Sequence, residues 1–108
     1  DHVGGIDDLR PFCVNGDVPI FAQHDVMEDL QRRLDYCFRD NLYPGVPRLT
    51  LHQIAAGEEC VIDGLKILPL RVYHGKLPIL GFRIGRFGYV TDASERRRQW
   101  RICRTSTL

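Results

Sequence analysis

The chain has 108 residues, enough for one domain with a modest hydrophobic core, and its 44% hydrophobic and 27% charged residues are ordinary for a soluble globular protein. No run of about 18 apolar residues occurs, which argues against any membrane-spanning helix. The formal net charge of +1 hides an uneven division: residues 1–94 carry ten Lys and Arg against thirteen Asp and Glu, whereas residues 95–108 carry five Arg and one Glu.

The order of elements begins with a short helix starting at Gly4, which Pro11 is expected to end because proline has no amide hydrogen to continue the ladder. Residues 18–22, Val-Pro-Ile-Phe-Ala, form an apolar run that predicts a strand with Pro19 at its start. Asp25 is placed to cap a helix over residues 25–39, where Val26, Met27, Leu30, Leu34, Cys37 and Phe38 recur at three- and four-residue spacing. Its opposite face carries Glu28, Gln31, Arg32 and Asp35, the pattern of a packed surface helix with no chemistry of its own.

Residues 41–47, with two prolines and a glycine, read as a loop. Strand-like runs follow at 49–54, 59–62, 65–73, 79–84 and 87–91. Asp63-Gly64 predicts a hairpin turn, and Gly85-Arg86 another reversal. In the run 79–84, Leu80, Phe82 and Ile84 alternate with Ile79, Gly81 and Arg83, which predicts a half-buried strand. Helices followed by a meander of strands suit part of a layered α/β (α+β) sandwich.

Cys13, Cys37, Cys60 and Cys103 are scattered and form no Cys-x-x-Cys, which argues against a zinc finger and suits free thiols in a reducing cytoplasm. No signal peptide is visible, and a cytoplasmic location is the expectation.

The residues that carry chemistry are few. The chain opens Asp1-His2-Val3-Gly4-Gly5-Ile6, a pair of metal-ligand types running into a helix start, and it begins on Asp1 rather than Met. It therefore reads as a piece of a longer protein cut through its site. His74, in Tyr73-His74-Gly75, falls at a strand end, where Gly75 permits a sharp change of direction. Asp92 closes the run Tyr89-Val90-Thr91-Asp92. Taken singly, each has a plain structural reading: Asp1 as a helix cap, His2 and His74 as solvated side chains, Asp92 as a turn residue.

As an ordered set, these residues resemble the metallo-β-lactamase superfamily of metal-dependent hydrolases, and within it the phosphoribosyl cyclic phosphodiesterase-like branch. Asp1-His2 match the last two positions of the family's His-x-His-x-Asp-His signature, Gly4-Gly5-Ile6 its helix start, and His74 and Asp92 its later motifs. The resemblance covers residues 1–94 and implies part of an αββα sandwich, with residues 95–108 as a basic C-terminal tail outside the family pattern. It also implies two divalent metal ions, zinc with manganese or iron as substitutes, which suit imidazole and carboxylate donors.

By the same resemblance Asp1 and His2 serve the second metal, His74 the first, and Asp92 bridges them, while Asp1 also helps orient the nucleophile. Metal-bound hydroxide would then attack a small-molecule or nucleotide-like phosphodiester. Three of the family's seven ligands, two histidines ahead of Asp1 and one beyond Asp92, have no counterpart, so this chain alone is expected to hold metal weakly and to be inactive. His24 and His52 match no motif and are read as structural. Arg10 and Arg83 are read as structural ion-pair partners before phosphate contacts.

An alternative is a non-catalytic remnant or binding module whose tail, Glu95-Arg96-Arg97-Arg98-Gln99-Trp100-Arg101, contacts RNA or another acidic partner through its arginines and a stacking Trp100. A solvated terminus, or the product of a truncation or shifted reading frame, is the preferred account of that tail.

Overall fold

The computed structural model describes residues 2–42 and 44–94, and these divide between two compact units, residues 1–53 and 54–108. In the first unit a 3-10 helix spans Ile6–Cys13, with Pro11 inside it. The expectation that Pro11 ends the helix is corrected. Proline's fixed φ lies within the 3-10 range, so its ring costs one amide donor and leaves the path of the chain intact. The Tyr36 hydroxyl donates to Asp7 Oδ1 at 2.8 Å and ties this segment to a later turn.

Strand β1 (Val18–Ala22) and strand β2 (Leu49–Gln53) pair in parallel, Val18 opposite Leu49 and Ala22 opposite Gln53. Parallel neighbours require a long crossover, and the connection carries helix α1 (His24–Arg33). Leu30 and Ala22 are buried, together with Cys13, Cys37, Pro47 and Leu49.

Helix α1 stops six residues short of the expected Arg39. Leu34 leaves helical geometry at φ −117°, although its N–H still reaches Leu30 O at 2.8 Å. The chain then tightens into a 3-10 turn, Asp35–Cys37, with bonds from Cys37 N to Leu34 O and Phe38 N to Asp35 O. The Asp35–Arg39 ion pair at 2.8 Å preserves i, i+4 spacing across that turn, which is why the side-chain pattern imitates a longer helix. Nor does Asp25 cap the helix. Gln23 occupies the N-cap position, and Asp25 lies in the first turn, where its carboxylate accepts the Val26 N–H and favourably meets the helix dipole.

The second unit holds an antiparallel meander, β3 (Cys60–Ile62), β4 (Leu65–His74), β5 (Leu77–Ile84) and β6 (Phe87–Tyr89), in that spatial order. The turn at Asp63 (φ 50°) and Gly64 (φ 81°) is left-handed at both residues, as a two-residue hairpin needs. Gly75 (φ 64°) and Gly85 (φ 58°) serve the two later turns.

The register assigns the faces. Leu68, Leu70, Val72 and His74 share one face with Arg83, Gly81, Ile79 and Leu77 opposite them, and Val72 and Leu70 are its most buried members, at 1% and 4% exposure. The other face carries Ile67, Pro69, Phe82, Ile84, Phe87 and Tyr89. The expected in–out alternation of β5 is absent: residues 79–84 are all buried or half-buried, because both faces of this sheet are apolar.

Pro69 sits in mid-strand without breaking β4. Odd-numbered residues of β4 direct their backbone groups toward β3, as the bond from the Cys60 thiol to Ile67 O shows, and β3 pairs only as far as Ile67. Pro69 therefore faces the edge beyond the β3 pairing, where a missing N–H breaks no ladder, and its carbonyl accepts the Gly57 N–H at 2.8 Å.

Candidate functional site

His74 closes the β4–β5 hairpin opposite Leu77, exposed, on the same face as Leu70 and Val72. The chain that follows β6 does not continue as a strand to Thr91, as the sequence suggests. After Tyr89 it crosses the sheet. A Cβ built on Gly81 would lie 2.9 Å from Val90 Cγ2, 3.3 Å from Tyr89 O and 3.6 Å from Val72 Cγ1, so Val90 packs directly on Gly81 of β5, on the face that also carries His74.

The crossing ends at the outer edge of β4. Ser94 N donates to Tyr73 O at 2.8 Å, Ser94 Oγ donates to the same oxygen at 2.9 Å, and Gly75 N donates to Ser94 Oγ at 3.0 Å. Ser94 thus bonds the residues on either side of His74. Asp92 lies two positions earlier in this strap with φ 59°, a left-handed conformation that Asp accepts more readily than most residues. Strap and hairpin together bring His74 and Asp92 into one neighbourhood at one end of the sheet.

His2 is exposed and belongs to the first unit, ahead of the 3-10 helix. Asp1 lies outside the described residues, as do Trp100 and the whole basic tail 95–108. His24 pairs with Glu28 at 2.9 Å, and the His52 ring stacks on Phe21 with centroids 4.8 Å apart, which gives both a structural role. Arg10 reaches Asp7 at 3.8 Å. Arg83 does not form the expected ion pair among the described residues: its Nε is buried without a hydrogen-bond partner. It shares the His74 face but lies six residues along β5 from Leu77, roughly 20 Å from the hairpin end. That distance separates it from His74 and Asp92.

An imidazole and a carboxylate are the donor types a zinc-like ion takes, so the chemistry of His74 and Asp92 fits such an ion, while two donors leave its coordination open. Among the described residues, no group of three or more His, Cys, Asp or Glu side chains could hold a metal ion. Sequence reasoning missed Ser94 and Gly81. The only signal for Ser94 was a hydroxyl residue two positions after Asp92, and for Gly81 a glycine interrupting an apolar strand.

Comparison with known proteins gives this site its context. The model of the β-lactamase superfamily domain matches residues 1–102. A protein of Porphyromonas gingivalis (strain ATCC BAA-308 / W83) named octanoyltransferase is 41% identical over 95 residues, covering 88% of this chain. The crystal structure of a new diphosphatase from the PhnP family aligns over 79% of this chain with a TM-score of 0.66 and 26% identity. The chain spans about a fifth of the first relative (19%) and about a third of the second (32%). The mixed helices and sheets are consistent with a partial metallo-β-lactamase fold. The superfamily includes hydrolases and typically binds metal ions.

Proposed function

The chain belongs to the β-lactamase superfamily, and from that premise we propose that it is part of a metal-dependent hydrolase acting on a phosphodiester of small-molecule or nucleotide-like size. The observation that carries this reading is the strap of residues 90–94, which brings Asp92 beside the hairpin end bearing His74. Likeness to a diphosphatase favours phosphorus over carbonyl chemistry. Octanoyl transfer is not carried over, because four-fifths of the protein so named lies outside the match.

In this reading His74 presents an imidazole nitrogen and Asp92 a carboxylate oxygen to a divalent cation, zinc or in its place manganese or iron. The family resemblance assigns Asp1 and His2 as further donors and gives Asp1 the orienting of the attacking water. Two bound cations would lower the pKa of water and neutralise charge developing on the phosphoryl oxygens. His74 stands at the end of β4, and Asp92 has a left-handed backbone. The thiols of Cys13, Cys37 and Cys60 suit a reducing cytoplasm.

The test is metal analysis of the full-length protein followed by turnover of bis(p-nitrophenyl) phosphate. Hydrolysis that is lost in His74→Ala and Asp92→Asn supports the reading. No turnover by fully metal-loaded protein refutes phosphodiester chemistry.

A further inference from the structure

We propose that Ser94 is a positioning residue that sets the spacing between His74 and Asp92, an inference that rests on the reading of those two side chains as metal donors. Its hydroxyl is used in both directions, accepting the Gly75 N–H at 3.0 Å and donating to Tyr73 O at 2.9 Å. Residues 73 and 75 bracket His74, so the two bonds fix the backbone on both sides of the imidazole. The third bond, from Ser94 N to Tyr73 O at 2.8 Å, belongs to the main chain and survives any substitution other than proline. Asp92 is attached to this clamp by one intervening residue, Ala93.

The hydroxyl is exposed, so its hydrogen bonds compete with water and add modestly to stability. What they supply is geometry. Without the hydroxyl, the hairpin end and the strap lose the two bonds that Ser94 Oγ makes and gain freedom to separate, and the two donors no longer arrive at a fixed distance. Groups that orient metal ligands change metal affinity when they are lost, and a clamp on the backbone beside a ligand acts on the same orientation.

The experiment follows the His74 ring and Asp92 carboxyl NMR signals of the isotope-labelled full chain during titration with zinc. In the wild type both signals respond at one common zinc concentration. Ser94→Ala weakens that response about tenfold or more, while Ser94→Thr, which keeps a hydroxyl, restores it, in the range seen for second-sphere partners of metal ligands. The methyl signals of Val72 remain unmoved in both variants, reporting an intact sheet. Wild-type affinity in Ser94→Ala overturns the positioning role and leaves the metal reading standing. Zinc that moves neither His74 nor Asp92 in the wild type overturns the metal reading and this inference with it. Amide exchange of metal-free wild type supplies an independent check: the clamp requires the Gly75 N–H to exchange far more slowly than that of Lys76, and equal rates overturn the proposal.

Discussion

Val90 closes over Gly81 so tightly that a side chain at this β5 position would force its neighbours to shift: the site of a Cβ there is 2.9 Å from Val90 Cγ2 and 3.3 Å from Tyr89 O. One contact is a side chain that can rotate. The other is backbone at the end of β6 and cannot yield without moving the strap. Gly81→Ala is therefore expected to destabilise the second unit by about 1–3 kcal/mol, the range for overpacking a filled site. Urea unfolding measures it, and a midpoint equal to wild type would show that the strap does not rest on β5.

Leu70 neighbours Val72 on the same strand and is 4% exposed, on the face beneath that crossing. Leu70→Ala removes most of a buried side chain and should cost about 2–5 kcal/mol. Exposed Val61, at 63%, offers the contrast: Val61→Thr should shift the melting temperature little.

Alkaline pH should weaken the first unit. The Tyr36 hydroxyl, bonded to the Asp7 carboxylate, is pushed above its ordinary value of 10.0, and burial pushes the Cys37 thiol above 9.0. Both groups hold their proton more tightly folded than unfolded. The stability they contribute is complete below the unfolded values and is lost as pH rises through the folded ones. Denaturant midpoints should fall from pH 9 upward, and Tyr36→Phe should remove the tyrosine's share of that slope. A midpoint constant to pH 11 contradicts the assignment.

The β3–β4 hairpin turns on two left-handed residues, Asp63 and Gly64. Gly64→Ala forces a Cβ into that conformation and should cost about 1–2 kcal/mol, whereas Asp63→Asn should be nearly neutral, because asparagine tolerates the same geometry. Thermal melts of the two variants distinguish backbone strain from a general sensitivity of the loop.

Local chemistry was legible in the sequence where it acts locally. The Asp63-Gly64 turn, the apolar stripe of α1 and the glycine after His74 each follow from a short-range rule, and each stands where that rule puts it. The end of α1 was not, because Leu34 departs from helical angles while Cys37 and the Asp35–Arg39 pair keep helical spacing. The parallel pairing of β1 with β2 depends on partners about 30 residues apart and leaves no mark on either strand alone. At the candidate site, His74 and Asp92 stood out only through their resemblance, as members of an ordered set, to a known family; residue type alone gave each a plain structural reading. What holds them together was not legible: Val90 and Thr91 look like further strand, and the crossing depends on a vacancy at Gly81, remote in sequence and adjacent in space.

Pro69 has a consequence beyond its own strand. An unpaired strand edge is a template for pairing with a neighbouring molecule, and past Ile67 the edge of β4 has its Pro69 and Tyr73 carbonyls taken by Gly57 and Ser94. With no amide at Pro69 and its carbonyl already engaged by Gly57, an incoming strand meets a gap in the middle of its pairing surface. The same strand that carries His74 at its end thus offers an interrupted edge to any partner strand.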